Sequence, residues 1–369
     1  TTTDRGRGVF ATAPLQKGTM LLLDSPLVTA LSYDALVKAV VERCAEDESI
    51  ERAVLSMQGS SGDKEPPAHL NGTGEAEEAT SEKKPRGSVS ESVARKVIRH
   101  NHHGVDRPPI DGELTTEATV LGLWPLGSLI NTSIRPNVTR TFAGHAVCYR
   151  LIRDVAQDEE IVDNYLDLRL PHATRKEMLR TNHGIIDEGP DEFDAPPEFV
   201  SAVQEEHAKA VQLLSKDTAR TTQAAMLRLA DLTNRCSDKV QDPAFHDIFR
   251  DFGIAAGKLG DAGMCIEGLA MAMELATKRE PYSLLSCILA LRMLHMACLA
   301  PTEVDAETRV GLQKVAEEHF RMVYGGDPGS MSALNPGLMK ELESAGTGTD
   351  KQATTDEPHT TGADAEAEA

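Results

Sequence analysis

The chain has 369 residues, of which 40% are hydrophobic, and a formal net charge of −20. This length predicts two folded domains, and the acidic balance argues against a nucleic-acid-binding protein, whose surface would carry a basic face. No run of about 18 apolar residues occurs, so no membrane-spanning helix is expected. The six cysteines are scattered without a C-x-x-C pair, which favours a reducing compartment, cytoplasmic or nuclear. The chain starts at "TTTDRGRGVF" without methionine, as a piece of a longer protein would.

Strands and then a helix are predicted for the first 57 residues. The short apolar runs "GVFAT" and "TMLLLDSPLVTAL" are separated by the turn-like "APLQKG", which is typical of β structure. Residues 33–57 place apolar side chains at helical spacing. Residues 58–92 are mostly Gly, Ser, Pro, Glu and Lys, so they are predicted to be a disordered insertion.

The next segments return to ordered patterns. "ESVARKVIRHNHHG" predicts a short helix, and residues 114–130 begin with "TTEA", a capping-box-like entry with Thr115 or Thr116 as the cap, before "LGLWPLGSLI". Residues 138–165 alternate in the manner of β-strands around a Gly-His turn. The histidines of "HNHHG" suggest a metal site, but no acidic or cysteine partner is evident, so a solvated loop without metal is predicted.

The second half of the chain is predicted to be helical. An acidic linker at 187–196 precedes amphipathic sequence over 197–344, with breaks at "SKDT", "QDPA", "KLGDAG" and "KREP". Antiparallel helix pairs in a repeat or bundle are expected. The Met and Leu stripes in 264–296 are interpreted as helix core. Residues 345–369 are predicted to be a disordered tail.

Three short motifs occur in a fixed order, and a helical "TRKEMLRTNHG" follows them. They are Gly6-Arg7-Gly8, the stretch "NTSIRPN" at 131–137, and "DEEIVDNY" at 158–165. Together they resemble the SET-domain protein lysine methyltransferases over roughly residues 5–186. The helical second half is similar to the branch that joins SET to tetratricopeptide-like helices and includes the SET-and-MYND proteins, although the MYND and post-SET zinc cysteines are absent.

The resemblance implies an α+β fold. Residues 1–186 would form a mostly-β SET domain with knot-like threading and a helical insertion, followed by an α-helical, tetratricopeptide-like domain. It also implies S-adenosyl-L-methionine as the cofactor and methyl transfer to a lysine of a protein substrate, a histone or another basic protein. No direct nucleic-acid or membrane partner is expected.

The resemblance also assigns site residues. Tyr165 would be catalytic, because a tyrosine hydroxyl at the end of the lysine channel orients the amine and contacts the polarised methyl group. Trp124 and Ser128 would line that channel. The cofactor would be bound by residues from the start, the insertion and the end of the domain: Arg5, Arg7, Gly8, Asn101, Asn131, Thr132 and Ile185.

Four positions depart from the family pattern. The histidine that follows the first asparagine is Thr132, the cysteine is Ile134, the glycine before Glu-Glu is Asp158, and the aromatic after the post-tyrosine helix is Ile185. These departures support an alternative, a catalytically degenerate SET fold that acts as a protein–protein interaction module. A third reading is a methyltransferase acting on a non-histone protein or a small molecule.

Overall fold

The computed structural model describes residues 8–57, 89–105, 120–143, 145–167, 170–183, 195–237 and 242–326. The α+β class with a helical second half is confirmed. Several predictions fall outside the described ranges: most of the insertion at 58–92, most of the linker at 187–196, the tail at 345–369, the caps Thr115 and Thr116, and the site residues Arg5, Arg7 and Ile185.

Nine strands form three small sheets in the first half of the described chain. In chain order they are β1 (Val9–Phe10), β2 (Met20–Asp24), β3 (Val28–Ala30), β4 (His102–Val105), β5 (Val120–Leu123), β6 (Asn131–Thr132), β7 (Val138–Ala143), β8 (Ala146–Leu151) and β9 (Glu160–Asp163). The sheet orders are β1-β9-β6, β2-β8-β7 and β3-β5-β4. All pairs are antiparallel except β6 with β9. The β7–β8 hairpin confirms the β-strands that were predicted from the alternating pattern in 138–165.

Four helices accompany these sheets: α1 (Tyr33–Glu46), α2 (Glu48–Ser56), α3 (Glu91–Asn101) and α4 (His172–Met178), which continues into a π-helical turn at Leu179–His183. The helix predicted over 33–57 is interrupted at Asp47, whose carboxylate accepts a hydrogen bond from Ser49 N at 2.8 Å and caps α2. Helix α3 starts inside the segment predicted to be disordered, with Ser90 as its cap and Val89 buried.

Two local predictions need correction. The capping-box-like entry at Thr115 or Thr116 implies a helix, but the apolar run that follows forms strand β5 and a single 3-10 turn at Gly127–Leu129, because β5 pairs on both sides with β3 and β4. The "HNHHG" stretch is not a solvated loop. Asn101 ends α3 and His102–Val105 is strand β4, with His103 only 9% exposed.

Six helices form the second half: α5 (Pro197–Leu214), α6 (Ala219–Ser237), α7 (His246–Lys258), α8 (Ala262–Thr277), α9 (Leu284–Leu299) and α10 (Ala306–Tyr324). Each packs mainly on its neighbours in the chain, as in helical repeat arrays. Leu269, Leu275 and Met293 are buried, which confirms the core reading of 264–296. Within the described ranges, no helix combines the length and apolarity needed to cross a bilayer.

Strand β7 connects the two halves. Its side chains alternate, so Val138, Arg140 and Phe142 share one face and Thr139 and Thr141 share the other. The threonine face lies against the helices. Thr141 Oγ1 donates to the Val323 carbonyl at 3.1 Å, and Thr139 Oγ1 donates to Glu280 Oε1 at 3.0 Å.

Candidate functional site

The parallel pair β6–β9 places two polar segments side by side. Asn131 lies opposite Val162 and Thr132 opposite Asp163. Thr132 is 3% exposed, and its hydroxyl accepts a hydrogen bond from Tyr165 N at 3.1 Å. The Tyr165 hydroxyl in turn donates to the Ile130 carbonyl. The backbone and the side chain of Tyr165 are thus both anchored to the segment around Asn131.

Gly8 leaves room for two polar side chains at the same edge. A Cβ atom on Gly8 would lie 2.5 Å from Glu160 Oε1 and 2.9 Å from Asn131 Nδ2. These two atoms are themselves hydrogen-bonded at 2.7 Å, with the Asn131 amide as donor. The missing side chain at position 8 therefore shapes a small polar cradle formed by Asn131 and Glu160.

The Tyr165 ring is held in a largely buried position. Its edge meets the His103 ring with centroids 5.9 Å apart and an interplanar angle of 72°. Burial raises the pKa of the Tyr165 hydroxyl well above its ordinary value, and the nearby Asp163 charge adds to that effect. The phenol is therefore neutral at any physiological pH.

A largely buried ion pair lies close to Tyr165. An Arg140 guanidinium nitrogen is 2.5 Å from Asp163 Oδ2, and the same nitrogen is 3.2 Å from His103 Nδ1. Since arginine only donates, His103 Nδ1 must accept, which defines the neutral Nε2–H tautomer. Burial raises the pKa of Asp163 despite the attraction of Arg140. Burial opposes the charge of Arg140 most strongly, but Asp163 together with Tyr149 and Tyr165 raises the Arg140 pKa.

A carboxyl group from the helical half completes this cluster. Glu280 lies between α8 and α9 and is 9% exposed. Burial and the like charge of Asp163 raise the pKa of Glu280 to about 7, although Thr139, Arg140 and Asn164 oppose the shift. The partly buried Arg140 guanidinium is thus close to two buried carboxyl groups.

Comparison with known proteins places this geometry in a family. Residues 6–166 match the family model of the SET domain. Residues 6–166, somewhat less than half of the chain, therefore form a SET domain. A segment of 60 residues is 38% identical to N-lysine methyltransferase SMYD2-B of Danio rerio. This segment covers 16% of this chain and 14% of that protein. A segment of 79 residues is 33% identical to Histone-lysine N-methyltransferase set5 of Schizosaccharomyces pombe. This segment covers 21% of this chain and 25% of that protein. The matched segments thus span a quarter or less of either relative.

Among the remaining predicted site residues, Trp124 lies beside the site, because its ring centroid is 6.1 Å from that of His103, which also contacts Tyr165. Ser128 and Asn101 make hydrogen bonds within their own segments. Trp124 is completely buried, donates from Nε1 to the His145 carbonyl at 3.0 Å and packs on Phe142. Ser128 Oγ donates to the Pro125 carbonyl at 2.8 Å, and Asn101 Nδ2 donates to the Val97 carbonyl at 2.7 Å within α3. The channel and cofactor roles of Trp124, Ser128 and Asn101 remain predictions.

Arg140, Asp163 and Glu280 were given no site role from the sequence. His103 was considered only as a metal ligand, and Glu160 was given no role although it lies in the motif at 158–165. One signal was present. Arg140 shares a strand face with Val138 and Phe142, and a charge on an apolar strand face requires a buried partner. Asp163 follows the buried pair Ile161 and Val162 and could have been suggested as that partner. Glu280 lies at a helix break, where charged residues are common.

Proposed function

We propose that the protein is an S-adenosyl-L-methionine-dependent protein-lysine N-methyltransferase. The observation that supports it most is the anchoring of Tyr165 to the Asn131 segment, beside the cradle at Gly8. The names of both relatives describe lysine methyltransferases. We infer a basic protein substrate, a histone or a similar protein, because the net charge of −20 would attract it.

The residues present fit the cofactor. A cradle that a single Cβ would fill lies at Gly8, and Asn131 and Glu160 present polar atoms there. Asn131, Thr132 and Asn101, together with Arg5, Arg7 and Ile185 outside the described ranges, would complete the binding site. When bound, this cofactor supplies an electrophilic methyl group on a sulfonium.

Tyr165 orients the acceptor and does not take its proton. Its hydroxyl donates to the Ile130 carbonyl, so the same oxygen would act as the acceptor for an amine N–H. Its raised pKa keeps it a neutral phenol. A lysine amine has an ordinary pKa of about 10.4 and reacts only when neutral, so a dry channel that disfavours the ammonium form would promote its deprotonation. We assign the walls of that channel to Trp124 and Ser128.

A cytoplasmic or nuclear location fits this function. All six cysteines carry free thiols, and five of them are buried. Free buried thiols are typical of reducing compartments.

The second candidate is a catalytically degenerate SET fold that acts as an interaction module. The Asn131 amide and the Thr132 hydroxyl both have partners inside the protein. Cofactor binding would then require Asn131 to leave Glu160.

Calorimetric titration with S-adenosylmethionine separates the two candidates. The enzyme requires measurable binding, and no heat at millimolar ligand would overturn it in favour of the interaction module.

With binding established, Tyr165→Phe should lower the transfer of labelled methyl groups to a histone mixture about 10- to 1,000-fold, with nearly unchanged cofactor affinity. Tyr33→Phe is the control, because the Tyr33 hydroxyl bonds the Arg95 carbonyl between α1 and α3. Equal activity of Tyr165→Phe and Tyr33→Phe would remove Tyr165 from its role.

A further inference from the structure

Strand β2 is an apolar edge strand that is paired on one side only. Its sequence is "MLLLD", and it lies at the end of the sheet order β2-β8-β7, with no described strand on its outer side. Met20 is 52% exposed and Leu23 is 58% exposed. A free edge that exposes large apolar side chains is prone to pair with other chains, and proteins usually cover such edges. Among the described residues, β2 lacks that cover.

Met20 and Leu23 lie on the same face of the sheet. Met20 is opposite Arg150 on β8, and Leu23 is opposite Cys148. The register shifts between Met20 and Leu22, and this irregularity lets two residues that are three apart share a face. Met20 and Leu23 thus form one exposed apolar surface, which we call the β2 face.

The helices of the second half cover this side of the sheet over β7 and β8 and stop before β2. Thr141 on β7 is opposite Cys148 on β8, and Thr139 is opposite Arg150. Thr139, Thr141 and Cys148 are buried, and Thr141 bonds the Val323 carbonyl near the end of α10. The β2 face is therefore the uncovered remainder of the surface on which the two halves meet.

Helix α10 ends beside the β2 face. Its last residue is Tyr324, and Gly325 caps it in the left-handed conformation with φ at 77°. A Cβ on Gly325 would overlap the Arg150 guanidinium. Arg150 is opposite Met20, and its Nη1 donates to the Gly18 carbonyl at 2.8 Å. The chain therefore leaves α10 next to the end of β2 that carries Met20.

We propose that residues 331–342 dock on the β2 face and cover Met20 and Leu23. The chain continues from Gly326 towards this segment, which lies outside the described ranges. Its sequence is "MSALNPGLMKEL", and it contains five large apolar side chains: Met331, Leu334, Leu338, Met339 and Leu342. The proposal goes beyond the proposed function and does not depend on it.

The length of the connection permits this docking. The five residues from Gly326 to Met331 span at most about 17 Å. Neighbouring strands lie about 4.8 Å apart, so Leu23 is about 10 Å from Thr141, which already contacts α10. The segment therefore reaches both residues of the β2 face.

A segment of the same chain suits this small surface better than a second copy does. Two half-exposed side chains offer far less than the roughly 800 Å² per partner that a stable protein–protein interface buries. Association of two molecules also costs translational and rotational entropy, which a tethered segment has largely lost already.

Methionine oxidation in the full chain measures whether the β2 face is covered. Hydrogen peroxide converts accessible methionine to the sulfoxide, and peptide mass spectrometry separates the twelve methionines. Met264 on α8 is the internal control, because it is 43% exposed and thus less exposed than the uncovered Met20. We expect Met20 to be oxidised at least about fivefold more slowly than Met264. In Leu338→Asp/Leu342→Asp, which places charges in the segment, Met20 should become at least as reactive as Met264.

Trypsin cleavage tests the same contact from the side of the segment. Lys340 lies inside the segment, and Lys351 lies beyond it. We expect cleavage after Lys340 to be at least about tenfold slower in the wild type than in Leu23→Asp, with equal cleavage after Lys351. Leu227→Asp is the matched control and should leave both rates unchanged, because Leu227 is exposed on α6, which packs on α5 and α7.

Two results would overturn the proposal. If Met20 is oxidised as fast as Met264 in the wild type, the segment does not cover the β2 face, which is then open to an external partner. If Met20 stays protected in Leu338→Asp/Leu342→Asp, something else covers it, and loss of that protection on dilution would assign the cover to a second copy. Neither measurement involves the cofactor or methyl transfer, so failure of this proposal leaves the proposed function untouched.

Discussion

The hydroxyl oxygen of Thr132 accepts a hydrogen bond from the backbone nitrogen of Tyr165 at 3.1 Å. Thr132 stands where the family pattern has histidine, and the bond gives the threonine a structural purpose. It ties the end of β9 to β6 at the point where the two parallel strands stop pairing. The departure from the family pattern at this position therefore stabilises the segment that presents Tyr165.

Removing this acceptor should loosen Tyr165. Thr132→Val keeps the shape of the side chain but leaves the Tyr165 N–H without its acceptor, which costs about 1–3 kcal/mol for a buried group. Hydrogen exchange of the Tyr165 amide measures the change directly. Thr132→Ser keeps the hydroxyl and should keep the protection. Equal exchange in the two variants would show that the bond does not hold the backbone.

Gly8→Ala should impair cofactor binding more than folding. The added Cβ would displace the ends of Glu160 and Asn131, which are side chains that can move. We expect cofactor affinity to fall at least about tenfold, equivalent to about 1.4 kcal/mol, by calorimetry. Gly311→Ala is the control, since no atom lies within 4 Å of a Cβ on Gly311 in α10. It should raise stability by about 1 kcal/mol because alanine favours helix.

Arg140→Met should destabilise the protein by about 3–5 kcal/mol, since it leaves the Asp163 carboxylate buried beside Glu280 without its cation. The double variant Arg140→Met/Asp163→Leu should recover much of that loss, because the Asp163 charge is removed together with its partner. Denaturant unfolding followed by the emission of Trp124, the single tryptophan, provides the free energies. Additive effects of the two substitutions would argue against direct coupling of the pair.

Asp158 adopts the left-handed backbone region with φ at 64°, at the position where the family pattern has glycine. Glycine adopts this region freely, while a β-branched residue is strained there by about 1–2 kcal/mol. Asp158→Gly should therefore leave the melting temperature unchanged or slightly raised, and Asp158→Val should lower it by several degrees. A valine variant as stable as the glycine variant would contradict this backbone conformation.

Glu318 accepts a hydrogen bond from the Tyr282 hydroxyl at 2.5 Å and forms an ion pair with Lys17 at 3.4 Å. These contacts predict that part of the free energy of unfolding is lost at acid pH. The pKa of Glu318 is lowered from 4.5, chiefly by the Tyr282 hydroxyl. The stability that it contributes is therefore complete above pH 4.5 and is lost as pH falls further. The pair with Lys17 is exposed, so the effect should be below about 1 kcal/mol and weaken in 1 M salt. Melting of wild type and Glu318→Gln should converge near pH 3, and a constant difference would contradict the assignment.

The sequence alone indicated the SET domain and most of the regular elements. The motif order from Gly8 through Asn131 to Tyr165 identified the SET domain, because residues that surround one site are constrained in type and spacing. Alternation predicted the β7–β8 hairpin and helical spacing predicted α5–α10, since these periods reflect which face of an element is buried. Those signals are local, and a single chain segment contains them.

Only the tertiary structure showed that Arg140, Asp163 and Glu280 come together close to Tyr165. The "HNHHG" stretch looks polar, yet β4 is a strand because it pairs with β5, which lies later in the chain. Arg140 and Asp163 are 23 residues apart, and Glu280 joins them from a position 141 residues beyond Thr139. Whether a charged side chain is solvated or buried depends on the groups that surround it in space, and no local periodicity encodes a partner at that distance.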